Sequence, residues 1–156
     1  MTKQLNIGSP APNFTLPADN GRTISLSDFA GKKRVVYFYP KDDTPGCTTE
    51  AIDFSAQIAA FAAANTEIIG ISADSITKHD KFKAKHNLAI TLLSDETLEV
   101  LKKYRVWVEK NMYGRKYMGI ERATFLIDEA QKIQQIWRKV RVKGHVQAVL
   151  QETTGT

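Results

Sequence analysis

The stretch "YFYPKDDTPGCTTEAIDF", residues 37–54, changes its hydrophobic period around the only cysteine of a 156-residue chain. Upstream, "RVVYFY" (residues 34–39) is a near-continuous apolar run that stops at Pro40, the pattern of a strand covered on both faces. Downstream of Thr44, residues Ala51, Phe54, Ile58 and Phe61 recur at three- and four-residue spacing, which predicts one helix running to about Ala64. A buried strand, a polar loop and a helix whose first turn carries a thiol are thereby predicted around that stretch, across residues 34–64.

The loop chemistry sharpens that reading. Thr44 is a residue that caps helices, and proline suits the first helical position because its missing N–H has no intrahelical partner there. Cys47 then falls at about the third helical residue, where unpaired N–H groups and the positive end of the helix dipole favour thiolate over thiol. Gly46 lets a ligand approach the backbone closely. A lone cysteine is also the residue type that packs as a small inert hydrophobe, so the residues by themselves leave both readings open, with the capped helix start favouring a reactive group.

Outward from this point the chain alternates. "FTL" and "TISL" flank "PADNGR", whose Asn20-Gly21 pair suits a tight turn, so residues 14–26 read as a hairpin, and "SDFAG" reads as a short helical turn ending at Gly31. "EIIGIS" and "AITLLSD" read as strands, "SITKHDKFKAKHN" and "TLEVLKKYR" as helices. "VWVEKNMYGRKYMGI" reads as a hairpin or loop, "ATFLID" and "KIQQIWR" as strands joined at residues 128–131, and a last helix starts near Lys143. Strands interleaved with helices and closed by a hairpin predict an α/β fold: a central mixed β-sheet flanked by helices, of thioredoxin-like topology, with an N-terminal β-hairpin. No repeat, linker or low-complexity tract interrupts it, so residues 1–156 are expected to form one domain.

Composition narrows the function classes. With 42% hydrophobic residues the chain can bury a core without disulfides, and one cysteine cannot form an internal bridge, which suits a reducing compartment. The first residues lack the apolar core of a signal peptide, and no apolar run is long enough to cross a bilayer; a soluble, cytoplasmic protein is expected. The net charge of +5 is uneven: residues 1–78 hold 7 Lys/Arg against 8 Asp/Glu, and residues 79–156 hold 15 against 9. "RKVRVK" (residues 138–143) could touch phosphates, but no nucleic-acid motif accompanies it, and a solvated edge is the expected role. His79 and His86 lack ligand partners at metal spacing and are read as solvated, His145 stands alone near a helix start, and nucleotide-binding glycine loops are missing; no metal or cofactor is expected.

At this point the residues resemble a family. "YPKDDTPGCTTEA" contains the Pro-x3-Thr-x2-Cys pattern of peroxiredoxins as Pro40, Thr44 and Cys47, and the Thr-Pro-Gly-Cys-Thr wording is similar to the bacterioferritin-comigratory, or Q-type, subfamily. "GSPAPNFTL" resembles the family's N-terminal signature, and "VWVEKNMYGRKYMGIERATFLID" the segment that delivers an active-site arginine, here Arg122. The resemblance implies a thiol-dependent peroxidase acting on hydrogen peroxide and organic hydroperoxides. Cys47 is the implied nucleophile, becoming a sulfenic acid, with Thr44 and Arg122 as catalytic partners. It also implies that Pro40 shields the sulfur, that N–H groups near Gly46 hold developing charge, and that Glu50 orients the arginine.

The chain departs from the subfamily in lacking a resolving cysteine: position 52 is Ile52, and the "SITKHDKFKAKHN" helix has none. A one-cysteine cycle is therefore expected, with an external thiol (thioredoxin, glutaredoxin or glutathione) as reductant, in a monomer that binds neither nucleic acid nor membrane. A thiol–disulfide oxidoreductase is disfavoured by the missing Cys-x2-Cys, and a redox sensor or basic binding protein is the non-enzymatic alternative.

Overall fold

The computed structural model describes residues 5–155. Residues 1–4 and 156, and with them part of the N-terminal stretch that lacks the apolar core of a signal peptide, lie outside the described residues.

The run of β-branched and aromatic residues in the opening stretch forms β3 (Lys33–Phe38), the middle strand of a five-stranded sheet. It pairs in parallel with β4 (Thr66–Ser72), which pairs in parallel with β5 (Thr91–Ser94). On its other side β3 pairs antiparallel with β8 (Ala123–Ile127), and β8 pairs antiparallel with β9 (Ile133–Trp137) through a bulge at Leu126/Ile127. The sheet is thus mixed, in the order β5-β4-β3-β8-β9.

Alternation along β3 divides the interior in two. Val36 and Phe38 join a cluster with Ile69, Ile71, Leu93, Leu101, Tyr104 and Phe125 on one face. Val35 and Tyr37 join Cys47, Phe54, Phe61, Phe82, Leu126 and Val149 on the other. A central strand must fill both faces with apolar groups, which is why its sequence shows no polar alternation.

Helices α1 (Pro45–Ala56), α2 (Ile58–Ala63), α3 (Ile76–His86) and α5 (His145–Thr154) send Phe54, Phe61, Phe82 and Val149 into that second cluster. A short α4 (Glu99–Lys103) supplies Leu101 to the first. The N-terminal hairpin of β1 (Thr15–Pro17) and β2 (Thr23–Ser25) turns through Asn20 and Gly21, both at positive φ, as expected of that pair. The Ser75 hydroxyl accepts from the Lys78 N–H and Asn87 closes α3 in the left-handed region, both residue types that favour those positions. A second hairpin, β6 (Trp107–Met112) and β7 (Arg115–Ile120), stands apart from the central sheet.

Three expectations are corrected. The helix expected to run unbroken to Ala64 divides at Gln57, whose N–H turns back to Phe54 and Ser55. Phe54 and Phe61 still meet in one core, with ring centroids 6.0 Å apart, so the apolar period survives the break. Of the two histidines read as solvated, His79 is fully buried, with Nδ1 2.6 Å from Asp42 Oδ2 and Nε2 2.9 Å from the Leu93 carbonyl, while His86 stays partly exposed and pairs at the surface with Asp43 at 2.9 Å. The loop after β3 carries Asp42 and Asp43 over to α3, a juxtaposition across about forty residues that local spacing does not encode. His145 does begin the last helix, but it is not alone; it is buried with Nε2 2.7 Å from the Thr124 hydroxyl.

Candidate active site

Pro45 occupies the first position of α1, Gly46 the second and Cys47 the third, so the sulfur belongs to the turn whose N–H groups lack intrahelical carbonyls. Cys47 is 2% exposed and packs with Tyr37, Ala51 and Phe54. Arg122 lies between β7 and β8 and reaches the sulfur: Nη2 donates to Cys47 Sγ at 3.3 Å while Nη1 donates to Glu50 Oε1 at 2.6 Å. One planar guanidinium therefore spans the nucleophile and a carboxylate one helical turn further on.

Burial gives these contacts their electrostatic weight. Glu50 is fully buried, which pushes its carboxyl up to about 7 against the pull of Arg122. Burial also works against the charge of Arg122, but the neighbouring Glu50 and Cys47 outweigh it and hold the guanidinium more firmly protonated than usual. His145 is shifted the other way, down to about 4, by burial and then by the Arg122 charge. The site thus keeps one fixed cation and a neutral imidazole behind it.

Gly46 has a local reason to be glycine. A Cβ there would stand 3.2 Å from Arg122 Nη2, closer than nearly all such contacts, so the bare backbone makes room for the guanidinium. Thr44 holds the cap position but does not cap: its hydroxyl donates to the Lys41 carbonyl at 2.8 Å and pins the loop instead. Pro40 is half-buried two residues after the last residue of β3, where the chain leaves the sheet. Cys47, Glu50, Arg122 and Gly46 thus converge in direct contact, with Thr44 at the helix boundary and Pro40 at the strand end.

Two features were not anticipated. Tyr37, on the face of β3 beneath α1, stacks on Phe54 with centroids 4.6 Å apart, and its phenol is pushed far above its usual range by burial and then by Glu50 and Cys47. The period-two alternation of β3 was the available signal, since it assigns Tyr37 to the side opposite Phe38. The second is the buried network of Tyr39, Asp42 and His79, in which the Tyr39 hydroxyl donates to Asp42 Oδ1 at 2.6 Å and the Asp42 N–H to Asp74 Oδ2 at 2.8 Å. It ties the loop leading to Cys47 onto α3.

The AhpC/TSA family profile matches residues 7–136. The chain belongs to that family, within its Bcp/PrxQ peroxiredoxins. It is 51% identical over 147 residues to Peroxiredoxin Bcp of Bacillus subtilis, covering 94% of each chain. A structure of Xanthomonas campestris bacterioferritin comigratory protein superposes with a TM-score of 0.87 at 44% identity, covering 91% of this chain and 90% of that one. A mutant of Xylella fastidiosa PrxQ gives 0.93 at 37% identity over 98% of each. The thioredoxin-like peroxiredoxin fold expected from the sequence is the fold observed. Among the described residues no helix is long and apolar enough to cross a membrane.

Proposed function

We propose that this peroxiredoxin is a one-cysteine, thiol-dependent peroxidase of hydrogen peroxide and organic hydroperoxides, with Cys47 as nucleophile. The observation that carries the reading is the Arg122 guanidinium bonded at once to Cys47 Sγ and to Glu50. The Xanthomonas campestris structure is described in terms of alkyl peroxide reduction activity, which supports the same chemistry here.

The Cys47 thiolate attacks one peroxide oxygen, the S–O bond forms as the O–O bond breaks, and the departing oxygen takes a proton to leave as water or an alcohol. Negative charge moves from sulfur onto both oxygens, and Arg122, fixed by Glu50, holds it without reorganising. To the N–H groups around Gly46 and Cys47, at the start of α1, we assign a share of the same charge, to Thr44 the fixing of the loop through the Lys41 carbonyl, and to Pro40 the screening of the sulfur from bulk water. An external thiol then attacks the sulfenic sulfur, water leaves, and a second thiol resolves the mixed disulfide. Thioredoxin, glutaredoxin and glutathione are the reductants in view. We assign the activity to a monomer of one domain, residues 1–156, in the cytoplasm, without a cofactor.

Stopped-flow oxidation by hydrogen peroxide tests the assignment. Cys47→Ser should abolish consumption, and Arg122→Ala should slow it by about two to three orders of magnitude, the scale for loss of one charge-stabilising donor. Consumption that survives Cys47→Ser would overturn it.

A further inference from the structure

The basic segment at residues 138–143, four cations without an acidic residue, is not explained by the peroxide half of the cycle. The structure places it on the rim of the thiol site: the Val140 N–H donates to the Arg122 carbonyl at 3.0 Å, and the Arg122 side chain reaches Cys47. Arg138 has local work, since it pairs with Glu121 at 3.6 Å and lies over the Phe125 ring. Lys139, Arg141 and Lys143 are exposed, and no carboxylate among the described residues lies within ion-pair distance of them. Lys110, on β6, adds a further cation close enough to feel both Arg122 and Cys47.

We propose that this loop is the docking surface for an acidic protein dithiol that reduces oxidised Cys47, an inference that rests on the peroxidase reading above. With one cysteine in the chain, the second half of the cycle requires a thiol from outside, and the sulfur is nearly closed off from solvent. An encounter at a small opening is slow unless the partner is steered and held, which an array of unpaired cations does for an acidic surface. The loop spans at most roughly 17 Å from Arg138 to Lys143. A small anionic thiol meets one or two such cations; an acidic protein surface meets them all. Nucleic acid would match the charge but brings no thiol.

The chemistry balances with the partner as two-electron donor. One partner thiolate attacks the sulfenic sulfur, forming the mixed disulfide as the oxygen leaves with protons as water. The second partner thiol attacks its own sulfur in that disulfide, which releases Cys47 as a thiol and the partner as an internal disulfide.

The test compares the wild type with Lys139→Gln/Arg141→Gln/Lys143→Gln in separate half-reactions, with thermal melting as the folding control. Oxidation by hydrogen peroxide and reduction by dithiothreitol should be unchanged. Reduction by a thioredoxin of net negative charge should fall about tenfold at low ionic strength and converge with the wild type as salt is added. For the wild type alone, salt should slow reduction by thioredoxin and leave reduction by dithiothreitol unaffected, a measurement that stands even if the variant does not fold. Equal thioredoxin rates in both proteins, an equal loss with dithiothreitol, an equal loss with glutathione, or salt-sensitive binding of a DNA duplex at the loop would each overturn the proposal. Failure of peroxide to oxidise wild-type Cys47 would instead remove the peroxidase reading on which it stands.

Discussion

Glu50 and Arg122, 72 residues apart in the chain, meet at 2.6 Å with the carboxylate fully buried and the guanidinium side chain only 16% exposed. A buried carboxyl shifted to about 7 changes state within the working range of the protein. Above that pH the pair is charge-assisted; below it Arg122 loses its anionic anchor. Glu50→Gln should therefore slow oxidation of Cys47 by roughly ten- to a hundredfold, the upper end being the scale for a catalytic group misplaced by about 1 Å. A carboxyl stretch titrating near pH 7 by infrared difference spectroscopy should disappear in the same variant. Because folding raises this group from 4.5 to about 7, its stabilising contribution is full below about pH 4.5 and is lost as pH rises through 7. Denaturant melts across that window should show a smaller fall in stability for Glu50→Gln than for the wild type.

Gly46→Ala separates stability from reactivity. The added methyl group meets Arg122 Nη2 at 3.2 Å and must displace the guanidinium by a few tenths of an ångström, while alanine is the better helix former by about 1 kcal/mol in a helix interior. The melting temperature should hold or rise as the oxidation rate falls by about tenfold. A variant that oxidises at the wild-type rate would show that Arg122 has room to spare.

His79 and Asp42 form a buried pair outside the reacting centre. The burial of His79 works against its charge, but the Asp42 hydrogen bond and charge together outweigh it, and its affinity for the proton is raised. Stability from this group is present below its ordinary value of 6.5 and is lost as pH rises through the elevated value. Asp42→Ala should cost about 3–5 kcal/mol, as expected when one member of a buried ion pair is removed, and urea melts should show the cost shrinking at alkaline pH. Cys47 chemistry in the folded fraction should change less than stability does, since neither residue bonds the sulfur or Arg122.

Without a second cysteine the sulfenic acid has no internal partner, and excess peroxide can attack it again. Intact mass after equimolar peroxide should show one added oxygen, or a thiol adduct when a thiol is present. A large excess without reductant should add two oxygens and inactivate the enzyme irreversibly. Full activity after that treatment, with no sulfinate, would mean that the site protects its sulfenic acid.

The strand-loop-helix around Cys47 and the alternation of the other elements were legible because each rests on local period and punctuation: Pro40 ends a strand, Pro45 starts a helix, Asn20-Gly21 turns a hairpin. The Arg122 and Glu50 partnership was legible only through resemblance, because nothing local tells an arginine between two strands which helix it will face. The buried roles of His79 and His145 were missed for the same reason. Their partners, Asp42, the Leu93 carbonyl and Thr124, are brought in by sheet and loop geometry, and a histidine whose polar atoms are satisfied at long range looks the same in sequence as one in water. Thr44 shows a subtler limit, since residue type located the helix boundary correctly while its hydroxyl chose the Lys41 carbonyl over the helix N–H groups.

Ile52 stands on α1 with 43% of its surface exposed, five residues beyond the nucleophile. Sulfurs five residues apart on a wound helix are separated by about 7.5 Å of rise, beyond the span a disulfide bridges, so any such bond would demand that the coil be pulled open. An isoleucine there frees this molecule from that mechanical demand. Oxidation of the sulfur therefore sets no bond within the chain that would pull its first turn apart.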